Sequence, residues 1–271
     1  MAQTTRRQRP EDSVQTVDKA LSVLEFLSGQ PQGRRGSEIA RALGFHPATT
    51  HRLLSTLEAR GYVRKDPVTK CYTLGLKCLE LGGAVLAGIE LPSIARPYLE
   101  ALQAETGETV HLMINDRGQG IYLTKIESEH RVRMASQLGR RSYLHCTAVG
   151  KAMLAFMDEK EVDAIIEEHG LPRFTPNTIT DKEILKKELL TIRARGYAVD
   201  NEEEERGIRC VGAPVFNHVG EPIAAVSVAG IVFRLDWAQV EAIAPKVMET
   251  AQEISKALGY GIDGAAHFDT Y

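Results

Sequence analysis

Residues 37–57 read SEIARALGFHPATTHRLLSTL and decide the fold of the N-terminal part of the chain. Ser37 is a favourable N-cap for a short helix, and Gly44 is well placed to end it. After a turn at Phe45-His46, Pro47 suits the first position of the next helix, where a backbone N–H is not needed. Two short helices joined by a tight turn with a glycine are typical of the helix-turn-helix, a DNA-binding motif.

The second helix of this motif is predicted to run from Pro47 to about Arg60 and to have two different faces. An apolar face is expected to pack on the core and consists of Thr50, Leu53, Leu54 and Leu57. The opposite face carries Ala48, His51, Arg52, Ser55 and Thr56, with Thr49 at its margin. Small side chains let a helix approach the major groove, and an arginine can bond a guanine edge or a phosphate. We therefore expect this helix to read DNA, and we assign Ser37 of the preceding helix as a further DNA contact.

The flanking sequence extends the motif to a winged domain. Before it, apolar residues recur at helical spacing over residues 14–27, which predicts a helix capped by Ser13 and followed by a loop at residues 31–36. After it, residues 62–74 predict a β-hairpin with its turn at Asp66-Pro67-Val68. The positive charges near its tip are those of Arg64, Lys65 and Lys70. Basic residues at a hairpin tip are what a DNA-binding wing requires; a three-helix module that docks on proteins is the alternative interpretation.

The charge of the chain is divided unevenly. Residues 1–75 contain 12 lysines and arginines against 7 aspartates and glutamates, whereas the remainder contains 21 against 29. A basic N-terminal part on an acidic body suggests that only the N-terminal part meets a nucleic acid.

The composition of the whole chain excludes several classes of protein. With 271 residues, 43% of them hydrophobic and 25% charged, it is not collagen, a wholly disordered chain or a disulfide-stabilised miniprotein. Its four cysteines include no CxxC pair, which argues against a zinc ribbon and for a reducing compartment. The N-terminus lacks the apolar segment of a secretory signal, and no stretch approaches the ~20 apolar residues of a membrane span. We therefore expect a cytoplasmic protein without membrane contact.

The remainder of the chain predicts an α+β domain, because strand and helix patterns mix without strict alternation. A helix over Leu74–Leu91 is expected to connect it to the winged domain, and Pro92 is expected to start another that ends near Glu105. The strands are predicted at residues 109–115, 120–126, 131–134, 197–199, 208–216 and 222–232. The helices are predicted at residues 148–156, 159–169, 181–195 and 237–258, with Thr180 and Glu183 forming a capping box for the third.

Several motifs of the N-terminal part resemble the DNA-binding domain of the isocitrate-lyase-regulator (IclR) family. These motifs are Ser37-Glu38-Ile39-Ala40, Leu43-Gly44, the run from Thr49 to Leu57, Gly61-Tyr62-Val63 and Tyr72-Thr73-Leu74-Gly75. The chain departs from the family at Ala48, where a serine is usual.

The body resembles the effector domain of the same family, which is GAF-like: an antiparallel sheet flanked by helices. The matching segments are Arg133-Met134, Leu138-Gly139, residues 144–152 (LHCTAVGKA), Arg195-Gly196-Tyr197, Glu203-Glu204, residues 207–215 and residues 225–230. The resemblance implies three parts: a winged helix-turn-helix domain at 13–75, a linker helix at 76–91 and a GAF-like effector-binding domain at 92–260. It also implies a ligand-responsive transcriptional regulator, and we expect a repressor of catabolic genes. Because one winged domain offers too little contact for specificity, we expect a homodimer or tetramer on a partly palindromic double-stranded operator. Dimer contacts are expected from Leu74–Leu91.

A candidate ligand pocket lies at the start of the helix predicted after Thr147. If Thr147 is the N-cap, the N–H groups of Ala148 and Val149 are free to bind a carboxylate; an ordinary capped helix that binds nothing is the alternative. The resemblance implies that a small organic acid also contacts Asp200, Cys210 and Ser227. A second serine of the family falls at Ala229, so one hydrogen bond is missing. The apolar wall is assigned to Met134, Leu144 and Ile208.

An enzyme that carries a regulatory DNA-binding domain is the competing class of function. Side chains that could act as a base or a nucleophile are present at His111, His145 and Cys210, yet no nucleophile elbow or pair of catalytic carboxylates accompanies them. A cysteine in an apolar strand is commonly an inert buried thiol. His145, Cys146 and Cys210 match no standard zinc spacing. We therefore expect no catalytic residues, no metal and no cofactor. The acidic run Glu202–Glu205 is expected to be a solvated turn.

Overall fold

The structure is a computed structural model and describes residues 14–87, 90–130 and 137–261. The chain divides into two compact units, Met1–Gly88 and Ile89–Tyr271.

The first unit is a winged helix-turn-helix. Its elements in chain order are α1 (Gln15–Ser28), β1 (Arg34–Arg35), α2 (Gly36–Leu43), α3 (Pro47–Ala59), β2 (Val63–Lys65), β3 (Cys71–Leu74) and α4 (Leu76–Ala87). The three strands form an antiparallel sheet in the order β1-β3-β2. The core joins the helices to the sheet through Val23, Leu27, Ile39, Leu53, Leu54, Leu57, Val63 and Tyr72. The fold class predicted for this part is confirmed.

Three local predictions for the first unit need correction. The loop expected at residues 31–36 contains β1, because Arg34 and Arg35 pair with Tyr72 and Cys71 of β3. Helix α2 begins two residues earlier than expected, at Gly36, so Ser37 lies within its first turn and is exposed. The carboxylate of Glu38 instead accepts from the N–H of Arg35, the residue before the helix, at 2.7 Å. Helix α1 begins after Val14, and the predicted cap Ser13 lies outside the described residues.

The predicted connecting helix is shorter than Leu74–Leu91. It begins at Leu76 because Leu74 is the last residue of β3, and the described part ends at Ala87. The next helix, α5 (Leu91–Thr106), has Pro92 in its first turn and ends before Gly107, whose φ of +69° suits a glycine.

The second unit is a six-stranded antiparallel sheet with helices on both faces. Its strands are β4 (Thr109–Asp116), β5 (Gln119–Ile126), β6 (Arg141–Tyr143), β7 (Ala198–Asn201), β8 (Ile208–Phe216) and β9 (Pro222–Ile231), in the spatial order β6-β5-β4-β9-β8-β7. Its remaining helices are a 3₁₀ turn (Leu144–Cys146), α6 (Ala148–Leu154), α7 (Glu159–His169), α8 (Lys182–Arg195) and α9 (Trp237–Ala257). The predicted α+β class is confirmed.

The two faces of this sheet pack against different helices. On one face, Val110, Leu112, Val211, Val226 and Val228 pack with α5 and α9. On the other, Met113, Tyr122, Ala198 and Ala225 pack with residues of α6, α7 and α8. Alternation along each strand sends successive side chains to opposite faces, so the sheet separates two cores.

Some boundaries in the second unit also differ from prediction. Strand β6 was not predicted; its three residues belong to the sheet because they pair with Gln119–Ile121 of β5. Helix α8 is capped by Asp181, which accepts from the N–H of Ile184 at 2.9 Å, whereas the predicted cap Thr180 accepts from Arg173. The strand predicted at residues 131–134 lies outside the described residues.

No helix within the described ranges is both long enough and apolar enough to span a membrane.

Candidate functional site

The exposed face of α3 carries the residues predicted to read DNA. Ala48, His51, Arg52, Ser55 and Thr56 are exposed and Thr49 is half-buried, whereas the apolar face of the helix is buried. The hydroxyl of Thr56 donates to the carbonyl oxygen of Arg52 at 2.9 Å, which leaves its oxygen free to accept. The guanidinium of Arg52 therefore projects from a surface of short side chains, and such a surface fits a groove.

The start of α3 is organised by a residue that sequence reasoning treated only as part of a turn. His46 is the N-cap, and its Nδ1 accepts from the N–H of Ala48 at 3.3 Å. Histidine is not among the preferred N-cap residues, so the capping rules gave no signal for it.

The wing is a tight hairpin with exposed cations. Asp66 organises the turn, because its Oδ1 accepts from the N–H groups of Val68 and Thr69 at 2.9 and 2.7 Å. These backbone hydrogen bonds hold the pKa of Asp66 below its usual value. The exposed cations of the hairpin are Arg64, Lys65 and Lys70. The Nζ of Lys65 lies 5.3 Å from the centroid of the Tyr72 ring.

In the second unit, the sheet aligns residues that are distant in the chain. Asp200 of β7 lies directly opposite Cys210 of β8, which lies opposite Ala229 of β9. In an adjacent row, Ser227 lies between Gly212 and His111. Directly opposite residues in antiparallel strands share a face, so these two rows form one buried surface. We call it the polar row surface: Asp200, Cys210, Ser227, Ala229 and His111.

Helix α6 begins on the polar row surface. Thr147 is its N-cap, and its Oγ1 accepts from the N–H of Gly150 at 3.1 Å. The side chain of Ala148 packs in one cluster with Ile208, Cys210 and Ala229. The N–H groups of Ala148 and Val149 belong to the first turn of α6, where no earlier helical carbonyl is in place to accept from them, and neither donates to a described residue.

Gly212 permits this close approach of helix to sheet. A Cβ built on Gly212 would lie 2.9 Å from the carbonyl carbon of Ala148 and 3.0 Å from the backbone nitrogen of Val149. These are backbone atoms, so the helix itself would have to move to admit any other residue. The glycine therefore sets how near the N–H groups of α6 lie to the sheet.

Asp200 is a buried carboxyl group with an altered protonation state. It is 2% exposed, and its Oδ1 accepts from the N–H of Glu203 at 2.7 Å. Burial, aided by the nearby charge of Glu203, raises the pKa of Asp200 to about 8. At neutral pH the group is therefore mostly protonated and offers an O–H donor.

His111 belongs to the same surface, although sequence reasoning gave it no role there. It is buried, faces Ser227 across the β4–β9 ladder, and its ring centroid lies 5.1 Å from that of Tyr122. Burial lowers the pKa of His111 to about 3, so the ring is neutral. The sequence does indicate that His111 shares a face of β4 with Thr109 and Met113, because alternate residues of a strand point the same way. Only the pairing of β4 with β9 shows that this face brings His111 opposite Ser227.

Two other predicted pocket residues belong to a neighbouring cluster. The side chains of Leu144 and Val149 pack in the core that contains Met113, and a Cβ built on Gly212 would lie 3.0 Å from the backbone nitrogen of Val149. Met134 lies outside the described residues.

The prediction of a solvated acidic turn at Glu202–Glu205 is wrong. Glu203 is buried and forms an ion pair with Lys151 of α6, and Glu202 accepts from the N–H of Gly207 at 2.7 Å. Burial raises the pKa of both Glu203 and Glu204. The rule that charged runs stay in solvent fails here because a lysine from a distant helix enters the core.

The candidate zinc ligands are engaged in other contacts. Nε2 of His145 lies 3.1 Å from the carbonyl oxygen of Pro172, and burial lowers the pKa of His145 to about 4. Cys146 and Cys210 are buried free thiols whose pKa values burial raises. Across the described parts of the chain, no three His, Cys, Asp or Glu side chains are grouped to hold a metal ion.

Comparison with known proteins gives matches to both units. Residues 16–67 match the IclR helix-turn-helix domain, and residues 83–256 match the C-terminal domain of the bacterial transcriptional regulator IclR. The chain is 36% identical over 247 residues to the HTH-type transcriptional regulator XynR of Escherichia coli K12, covering 91% of this chain and 98% of XynR. It is 32% identical over 266 residues to the HTH-type transcriptional repressor AllR of the same organism, covering 96% and 98% of the two chains.

The similarity extends to solved structures. The crystal structure of the IclR protein of Thermotoga maritima is 40% identical and superposes with a TM-score of 0.75, over 91% of this chain and 99% of that one.

Proposed function

The chain belongs to the IclR family of bacterial transcriptional regulators, and from that premise we propose that a small organic acid, bound in the second unit, controls how the first unit binds DNA. XynR and AllR are both named as helix-turn-helix regulators, and AllR is named a repressor. The observation that carries the proposal is the alignment of Asp200, Cys210 and Ala229 across three strands below the start of α6.

The acid is held by hydrogen-bond donors that converge from α6 and from the sheet. Its carboxylate accepts from the N–H groups of Ala148 and Val149, and this requires no basic side chain. The protonated Asp200 donates to a second oxygen of the acid, and the hydroxyl of Ser227 supplies a further contact. Ala229 leaves one position of the surface apolar, which suits a methyl or methylene group of the ligand.

DNA is bound by two copies of the chain. Helix α4 exposes Leu76 and Leu79, which are 77% and 72% exposed, and an apolar helix face of this kind is suited to a second copy. A two-fold dimer, or a tetramer built from two such dimers, presents its α3 helices in pairs to a partly palindromic operator in the cytoplasm. The wing contributes contacts to DNA phosphates through Arg64, Lys65 and Lys70, and such contacts do not depend on the base sequence of the DNA.

A binding experiment on the full chain tests this function. Operator duplexes are first selected from random DNA by repeated binding, and their retardation is then measured with pyruvate, 2-oxobutyrate, lactate, glycerate or gluconate. We expect two-fold-symmetric sites and at least one acid that changes DNA affinity. If the sites are symmetric but no acid changes the DNA affinity, the protein is a DNA-binding regulator and the proposed acid sensing is wrong. If the protein converts an acid to a product, the competing function as an enzyme is favoured.

Binding of the acid is expected to weaken in alkaline solution. As the pH rises through about 8, Asp200 loses its proton, ceases to donate and repels the ligand carboxylate. The affinity should therefore fall by up to about tenfold for each further pH unit, since one proton is involved. Titration calorimetry from pH ~6 to pH ~9.5 measures this, with Asp200→Asn as the control that keeps a donor without a titrating proton. A wild-type profile as flat as that of the control would contradict the role of Asp200.

A further inference from the structure

A buried lysine links the two halves of the proposed acid site. Lys151 lies one turn after the start of α6 and is 1% exposed. Its Nζ donates to the carbonyl oxygen of Val199 at 2.7 Å and forms an ion pair with Oε1 of Glu203. Lys151 thereby ties α6 to β7 at the residue that precedes Asp200.

Glu203 carries this connection on to Asp200 itself. Its backbone N–H donates to Oδ1 of Asp200 at 2.7 Å. The same turn is held from its other side, because the hydroxyl of Thr178 donates to the carbonyl oxygen of Glu203 and that of Thr175 to the carbonyl oxygen of Glu202, both at 2.6 Å. The hydrogen bond from Glu203 therefore restrains the Asp200 carboxyl as long as the backbone of Glu203 stays in place.

Stability is a poor explanation for this ion pair. Removing two charges from water costs free energy that their attraction repays only when every remaining polar atom is satisfied. Here Oε2 of Glu203 is buried and has no hydrogen-bond partner among the described residues. Apolar side chains of similar volume in such places are often neutral or stabilising.

We propose that the Lys151–Glu203 pair is the positioning element of the acid site: it fixes the spacing between the start of α6 and the Asp200 carboxyl, and so sets the affinity for the acid. This inference rests on the proposed function. The two charges balance each other, so the pair positions the binding groups without itself holding the ligand carboxylate.

The test is a double substitution, Lys151→Met with Glu203→Leu, in the full chain. It keeps the buried volume close to that of the wild type and leaves neither charge unpaired. We expect an unchanged or higher melting temperature, unchanged DNA affinity without acid, and a dissociation constant for the acid raised about tenfold or more. The probe is whichever of pyruvate, 2-oxobutyrate, lactate, glycerate and gluconate most raises the melting temperature of the wild type.

Two comparisons make the result decisive. The control is Lys186→Met with Asp163→Asn, which breaks an ion-pair network between α7 and α8 and should leave acid binding unchanged. The two residues are 2.8 Å apart, and they also pair with Glu159 and Lys182. If the Lys151/Glu203 variant binds acid as the wild type does, or loses stability and affinity together, the positioning role is wrong. If Asp200→Ala also leaves binding unchanged, or no probe binds the wild type, the proposed acid site itself fails and the inference fails with it.

Discussion

Asp200→Ala is expected to abolish the response to the acid while leaving DNA binding intact. The substitution removes the one carboxyl group of the polar row surface and leaves the oxygens of the ligand facing an apolar gap. Loss of a hydrogen bond between buried groups, one of them charged, costs about 1.5–3 kcal/mol, so the dissociation constant should rise about 10–150-fold. The affinity of the acid-free protein for its operator should stay the same, because Asp200 and α3 belong to separate units.

Calorimetry with the acid and DNA retardation, done on the same preparation, measure both quantities. Asp200→Asn is the matched control, since it keeps the shape and one donor and should retain most of the affinity near neutral pH. The assignment of Asp200 is contradicted if the alanine variant still responds at the wild-type acid concentration.

Arg52→Ala is expected to lower the affinity for the operator by about 1–3 kcal/mol, which is about 5–150-fold. Arg52 is the arginine on the exposed face of α3, and short side chains surround it. If it reads a guanine edge, the loss should be large for the selected operator and small for unrelated DNA, so sequence preference is lost along with affinity.

Arg64→Ala on the wing is the contrasting variant. It should weaken all DNA sequences about equally and reduce the dependence on salt, because a phosphate contact is sequence-independent. Arg96→Ala, at an exposed arginine of the second unit, serves as the control for a lost surface charge. If the Arg52 variant binds the operator as tightly as the Arg96 variant does, Arg52 does not contact the DNA.

The amino-acid sequence determined the winged domain almost completely. Local sequence rules predict the glycine that ends α2, the proline that starts α3 and the turn that begins at Asp66. Each of these features depends only on residues a few positions away. The first-turn position of Ser37 and the pairing of β1 escaped prediction because each depends on neighbours: the Glu38 carboxylate in one case and β3 in the other. Family motifs supplied the candidate contacts of the acid.

Only the tertiary structure decided what surrounds those contacts. His111 meets Ser227 because β4 pairs with β9 across more than a hundred residues, and alternation within one strand does not choose a partner strand. Lys151 and Glu203 each look like surface residues in the sequence, yet each is buried because the other is there. Burial of a charge depends on a partner that the fold brings to it. For that physical reason, neither the raised pKa of Asp200 nor the Lys151–Glu203 pair next to it could be predicted from the sequence.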